Sequence, residues 1–327
     1  MGNAMTAIME HSLASPMTWA AQTLFENDGL VTLDGDCIAE LDSAAAEIEA
    51  NPLAIEALHP RHFEMTACQA AMARVREQID NGIGFAIIDR LPVERLETES
   101  AKKLYWLLMS MIDRPVAQKW DGTMVYDVTD TGKKSRPGSG VRSSKTNGGQ
   151  SYHTDNAFNL PPDFVALFCL RTARKGGVSG LVSLETVHNL MLAECPEVLP
   201  RLYQPFHFDR QMEHAPDDAR LSFKPVFESD GARVYANFSP RLIEHAYEMN
   251  NKEMDATARD AINALMRIPE RAGLGKSFAF ERGQIQIVNN RRLGHRRTAF
   301  RDWDEPKRRR HLVRIWLRKT GRPFYQG

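Results

Sequence analysis

His153 and Asp155 stand two residues apart in SYHTDNAF. On an extended strand that spacing puts both side chains on one face, converging on one point, where an imidazole and a carboxylate can share a metal ion. The pattern alone is cheap. Ten histidines and 42 acidic residues in 327 predict about 1.3 His-x-Asp/Glu triplets by chance. The sequence holds three. His62-Phe63-Glu64 lies in a stretch with helical spacing that separates the two side chains, and His207-Phe208-Asp209 has no companion ligand downstream. These residues and His214 are taken as structural. What raises the first triplet is its company: a two-histidine, one-carboxylate face of a non-haem iron site asks for a third ligand, a serine or threonine on a later strand and an arginine near the C-terminus. The sequence offers all three.

Such residues need strands to position them. From about residue 124 the chain runs through short β-rich stretches (MVYDV, FVALFCLR, GLVSL, KPVFE, RVYANFS, SFAFE, QIQIVNN and HLVRIWLR) broken by Gly, Pro and Asp turns. Helical inserts interrupt them near 186–203 and 241–267. Many short strands punctuated by turns predict a sandwich or a double-sheet jelly roll. Residues 36–82 have helical spacing, GFAIIDRLP is a buried strand and 96–112 returns to helix. The expected organisation is an N-terminal helical segment over residues 1–80 packed on a core domain over 81–327. Between Val128 and Gly149 the chain is polar for more than twenty residues and ends directly against His153, as an active-site lid does.

Composition bounds the rest. A hydrophobic content of 43% and a charged content of 26% exclude a disordered, collagen-like or disulfide-scaffold chain. No apolar run reaches the ~18 residues of a membrane helix, and MGNAMTAIMEHSL lacks the basic start and apolar block of a signal peptide, so a cytoplasmic protein is expected. Cys37, Cys68, Cys169 and Cys195 are 31, 101 and 26 residues apart, which suits reduced, structural thiols. The net charge of zero hides an asymmetry. Residues 291–327 carry thirteen Lys and Arg against Asp302, Asp304 and Glu305. A basic segment points to an anionic ligand, and one alternative is a non-catalytic jelly-roll binding module that uses it for nucleic acid. Against that, several of the arginines alternate with apolar neighbours in a strand, and no aromatic stacking platform is evident. A small-molecule partner is therefore expected, with no nucleic acid and no membrane; a homo-oligomer is left open.

The ordered set resembles the TauD/TfdA (taurine dioxygenase-like) family of iron(II)- and 2-oxoglutarate-dependent dioxygenases, with similarity to its clavaminate synthase-like members, over roughly residues 80–324. The resemblance implies a mixed α/β protein with a β-rich core, a double-stranded β-helix (cupin-like jelly roll) flanked by helices. It makes His153 and Asp155 metal ligands, followed by the proline pair Pro161-Pro162. Gly176-Gly177-Val178-Ser179 matches a turn whose hydroxyl contacts 2-oxoglutarate, giving Ser179 that role. His295, in NNRRLGHRRTAF, becomes the distal ligand 142 residues after His153. Arg310, fifteen residues later, anchors the cosubstrate, and Arg314 lies on the same side of its strand. The implied cofactors are Fe(II), 2-oxoglutarate and O2, with release of succinate and carbon dioxide. Hydroxylation of an unactivated C–H bond is expected because a carboxylate fills position 155, where halogenating relatives have a small residue; desaturation and epoxidation stay open. Arg314, Gln150, Asn156, Tyr126 and Arg142 are candidate contacts to a small polar or anionic substrate: an amino acid, a carboxylate or sulfonate, or a natural-product intermediate.

Overall fold

Apolar residues fill the strand His311–Arg318 between its charged positions, and alternation sorts its side chains to two faces. In the computed structural model Val313, Ile315 and Leu317 enter a core shared with helices, while Leu312 and Trp316 enter cores on the opposite side. Its neighbour Phe164–Arg171 divides likewise: Phe164, Ala166, Phe168 and Leu170 face the helices, and Val165 and Cys169 face away. Strands buried on both faces belong at the middle of a covered sheet. These two sit in a seven-stranded sheet ordered Leu30–Thr32, Phe85–Asp89, Ile285–Asn289, Phe164–Arg171, His311–Arg318 and Arg114–Val116, with Tyr126–Val128 also paired to His311–Arg318. The structure describes residues 7–325 apart from Ser135 and Pro137; Met1–Thr6, those two positions of the polar loop, Gln326 and Gly327 lie outside the described residues.

Helices Gly35–Ala50, Thr66–Asp80 and Thr98–Ile112 cover the outer face of this sheet. The N-terminal segment contributes more than helix, because Leu30–Thr32 pairs in parallel with Phe85–Asp89. Ser15 and Thr18 also donate hydroxyl hydrogen bonds to Glu185, which is paired in turn with buried Arg292. Cys37 and Cys68, 31 residues apart in the chain, bring their sulfurs to 2.6 Å inside the helical layer.

Facing the inner side is a four-stranded antiparallel sheet in the order Lys276–Phe278, Ser179–Ser183, Leu293–Arg297 and Gln150–His153. Leu181 and Leu293 from it pack against Val165, Val288 and Trp316 of the large sheet. The two sheets make the expected jelly roll, a mixed α/β fold with a β-rich core. The helices Leu184–Glu194, Leu199–Leu202, Pro240–Met249 and Ala256–Arg267 build a second core around two hairpins. Among the described residues no helix is long and apolar enough to cross a membrane.

That second core contains a titratable group that couples stability to pH. His188 is buried, its Nε2 is 2.8 Å from the Tyr203 hydroxyl, and burial pulls its pKa down to about 4. Above pH 6.5 the imidazole is neutral in both states and costs nothing. As pH falls from 6.5 toward 4, only the unfolded chain takes up the proton, so stability is lost by up to about 3 kcal/mol. Thermal unfolding of His188→Gln should show a shallower decline across that window than the native protein, and identical slopes would refute the coupling.

Candidate metal centre and its two cavities

The register of the small sheet does the assembling. Leu293–Arg297 runs antiparallel to Gln150–His153 with His295 directly opposite His153, and their ring centroids lie 4.4 Å apart. Asp155 follows two residues beyond His153, on the same side. Its Oδ1 is 3.6 Å from His153 Nε2 and 3.5 Å from His295 Nε2. These separations are long for hydrogen bonds and short enough for three donors around one ion. Among the described residues, this is the group of His, Cys, Asp and Glu whose ligand atoms cluster within 4.8 Å.

The surrounding residues set the donors for a metal. His153 Nδ1 is 2.9 Å from the Ser151 carbonyl, which places the proton on Nδ1 and leaves the Nε2 lone pair facing the cluster. Asp155 keeps one oxygen occupied: Trp316 Nε1 donates to Oδ2 at 2.7 Å, and Arg314 Nη1 pairs with the same atom at 2.9 Å. Its backbone N–H donates to Asn290 Oδ1. Burial works to raise the Asp155 carboxyl, but the Arg314 guanidinium outweighs it and holds it well below the ordinary range. Burial and the neighbouring His153 lower His295, favouring the neutral, ligating imidazole. An anionic carboxylate and two neutral imidazoles on one face suit a divalent iron.

Trp316 was not singled out by sequence reasoning, and its signal was there: it lies two residues after Arg314, on the same face. Trp316→Phe should preserve the packing, remove the hydrogen bond to Oδ2 and weaken iron(II) binding by about 10–100-fold, the usual cost of losing an outer-shell partner. Competition with a chromogenic chelator measures this, and unchanged affinity would deny the indole its orienting role.

Two cavities meet at the cluster. The smaller, 40 Å³, lies between the sheets and is lined by His153, Asp155, His295, Ser179, Arg297 and Arg310 among others. Arg310 is buried and its Nη1 has no hydrogen-bond partner among the described residues. No carboxylate pairs with its guanidinium among the described residues, and burial pulls its pKa to about 10. The Gly-Gly turn makes this approach feasible. Gly176 and Gly177 have φ of +78° and +71°; a Cβ at Gly176 would lie 2.2 Å from the Ala299 carbonyl, and one at Gly177 3.3 Å from Arg310 Nε. Ser179 donates its hydroxyl to Gln286 Oε1 at 3.1 Å, on the facing sheet. Arg297 is a second guanidinium on this cavity that sequence reasoning missed. Its Nη2 donates to the carbonyls of Thr146, 3.0 Å away, and Gly148, tying the end of the polar loop to the cavity wall.

The larger cavity, 470 Å³, opens outward from the cluster and is lined by the polar loop and the start of the helix Pro240–Met249. Gln150 and Arg314 line both cavities. Arg314 is partly engaged, with Nε donating to Gln118 Oε1 at 2.8 Å and Nη1 on Asp155, while its buried Nη2 has no partner among the described residues. Arg142 lines the larger cavity and is paired with Glu213 at 2.6 Å. Asn156 lines it too, with its amide turned inward to the Leu160 carbonyl and the Tyr325 hydroxyl. Tyr126 lies outside both linings; its buried ring is a shelf beneath Lys145 Nζ at 4.3 Å and the Arg314 guanidinium at 5.0 Å.

Comparison with known proteins places this geometry. The family model described as Taurine catabolism dioxygenase TauD, TfdA family matches residues 53–316. The chain is 25% identical over 328 aligned residues to FR-33289 synthase of Streptomyces rubellomurinus (strain ATCC 31215), covering 98% of this chain and 94% of that protein. It is 24% identical over 314 residues to the taurine hydroxylase-like protein SAT17 of Stachybotrys chartarum (strain CBS 109288 / IBT 7711), covering 93% and 79%. Among solved structures it is similar to asparagine oxygenase in complex with Fe(II), (2S,3S)-3-hydroxyasparagine and succinate, with a TM-score of 0.67, 18% identity and coverage of 88% and 93%. It is also similar to the non-heme iron oxygenase OrfP in complex with Fe and alpha-ketoglutaric acid, with a TM-score of 0.64, 16% identity and coverage of 89% and 94%.

Proposed function

The chain belongs to the TauD/TfdA family and is an iron(II)- and 2-oxoglutarate-dependent dioxygenase, and from that premise we propose that it hydroxylates an unactivated C–H bond of a small polar or anionic molecule. The balance is one C–H compound, O2 and 2-oxoglutarate in, and one alcohol, succinate and carbon dioxide out. The observation that carries this reading is the cross-strand pairing of His295 with His153, which closes a facial set with Asp155.

Iron(II) bound by these three residues would couple dioxygen reduction to decarboxylation of the 2-oxo acid and oxidation of a C–H bond. Each side chain has a part in that. His153 and His295 present neutral nitrogens, and Asp155 presents one oxygen because Arg314 and Trp316 retain the other. Arg310, buried without a counter-anion, takes the distal carboxylate of 2-oxoglutarate, with the Ser179 hydroxyl beside it in the same cavity. The narrowness of that cavity excludes water from the anchored diacid. The substrate enters through the larger cavity, past the polar loop, which acts as its lid.

The basic C-terminal segment does not favour the binding-module alternative. Arg292, Arg297, Arg310, Arg314 and Arg318 are buried, Arg291 pairs with Glu228, and Arg296 with Glu270. Its positive charge is largely consumed inside the fold, which supports a small-molecule ligand over nucleic acid. Screening a broad set of amino acids, carboxylates, sulfonates and natural-product intermediates for succinate formation, with native protein against His153→Ala, tests the proposal and identifies the substrate. Failure of every compound to stimulate 2-oxoglutarate turnover would count against it.

A further inference from the structure

Taking the larger cavity as the substrate site, as proposed above, we infer that it holds an oxyanion group of the substrate at the start of the helix Pro240–Met249, apart from the metal ligands. The helix has ten residues, begins with proline and carries no acidic residue in its first turn, so its N-terminal partial positive charge is uncompensated. Ser239, at the N-cap, is only 7% exposed, makes no side-chain capping bond and lines the cavity, and its hydroxyl has no hydrogen-bond partner among the described residues. A hydroxyl that opens onto the cavity from an otherwise packed residue is free to donate to a bound acceptor. The exposed Arg241 side chain lines the same cavity and forms no ion pair among the described residues.

The polar loop repeats the sign. The exposed Lys133 and Lys134 line the same cavity and are likewise without a carboxylate partner among the described residues. The tip of the loop packs on the far end of this helix and on the turn at Met212: a Cβ at Gly138 would come within 3.6 Å of Met249 Cε, and one at Gly140 within 3.2 Å of Met212 Cγ. Against these three unpaired cations, the lining offers one carboxylate, Asp155, whose oxygens are directed to Arg314, Trp316 and the imidazoles. Two acids behind the lining are also engaged: Asp209 is turned to His245 at 3.9 Å and to the Gln211 N–H, and Glu213 is paired with Arg142. All three cations are solvent-exposed, so they repel a cationic substrate end and attract an anionic one. A phosphonate, phosphate, sulfonate or carboxylate would accept from Ser239 and the helix N-terminus while meeting Arg241 and a loop lysine.

The test separates this subsite from catalysis. Native protein saturated with 2-oxoglutarate and iron(II) under argon is titrated calorimetrically with methylphosphonate, methanesulfonate, acetate and acetamide. At least one anion should bind, acetamide should not, and added KCl should weaken the binding. Arg241→Glu, and independently Lys133→Glu, should weaken it about tenfold or more, while His153→Ala, tested without metal, should retain it. Binding that survives Arg241→Glu and Lys133→Glu but is lost in His153→Ala would place the anion on the metal and overturn the inference; so would the absence of anion binding. The two readings fail differently. Anion binding governed by Arg241, with no compound stimulating succinate formation, leaves the subsite standing and removes the catalytic reading. Turnover of uncharged compounds without any anion binding does the reverse.

Discussion

Replacing His295 with alanine is expected to reduce substrate-stimulated succinate formation by ~10³-fold or more, because loss of one of three metal ligands removes several kcal/mol of charge stabilisation at the reacting centre. The fold should survive. Asp155 remains paired with Arg314 and Trp316, and its backbone stays bonded to Asn290, so no buried carboxylate is left uncompensated. His295 Nδ1 has no hydrogen-bond partner to lose. Leu293–Arg297 retains its backbone pairing on both sides. The expected result is therefore a cooperative unfolding transition within a few degrees of native, near-zero iron content after desalting, and no turnover. A His295→Ala protein that keeps its iron and its activity would show that the two imidazoles opposite one another do not share an ion.

Much of this centre was legible because β-structure converts sequence parity into geometry. His153 and Asp155 two apart, and Arg310, Arg314 and Trp316 at even intervals, each announce a shared face as soon as the segment is taken as a strand. The strand assignments were readable from short, turn-bounded runs rich in β-branched and aromatic residues, FVALFCLR nearly all apolar and HLVRIWLR apolar between its charged positions. What stayed hidden was register and long-range approach. No local pattern states that position 295 pairs with 153, or that Gln118 would accept from Arg314 across 196 residues; the resemblance to a family supplied the first and nothing supplied the second. Arg297 escaped because it lies in one of two arginine pairs, 291–292 and 296–297, where a solvated charge is the ordinary reading. Tyr126 was an aromatic beside a polar loop, and parity alone could not tell a cavity wall from a shelf beneath two cations. The strand Leu30–Thr32 escaped because three residues carry too little periodicity to register.

Arg310→Leu is the second large effect, and its signs separate binding from stability. In the native protein the buried guanidinium faces a 40 Å³ cavity without a counter-anion, with Arg297 as a like-charged neighbour; both stack on the Phe300 ring, at 5.0 and 4.9 Å. That arrangement costs stability until a dianion arrives. Leucine removes the cost along with the anchor. The variant without cosubstrate should therefore unfold at or above the native temperature, while its KM for 2-oxoglutarate should rise about 10²-fold or more, the 2–5 kcal/mol typical of truncating one partner of a buried charge pair. Saturating 2-oxoglutarate should raise the native unfolding temperature and leave that of the variant nearly unmoved. Arg310→Lys keeps the charge and loses the two-pronged geometry, so it should recover only part of the affinity. Arg297 sharpens the comparison. Because its Nη2 holds the carbonyls of Thr146 and Gly148, Arg297→Leu should loosen the loop as well as the diacid, raising KM for substrate together with KM for 2-oxoglutarate. Arg310→Leu should act on the 2-oxoglutarate term almost alone. If the two variants showed the same pattern, the division between an anchor for the diacid and a tether for the loop would be wrong.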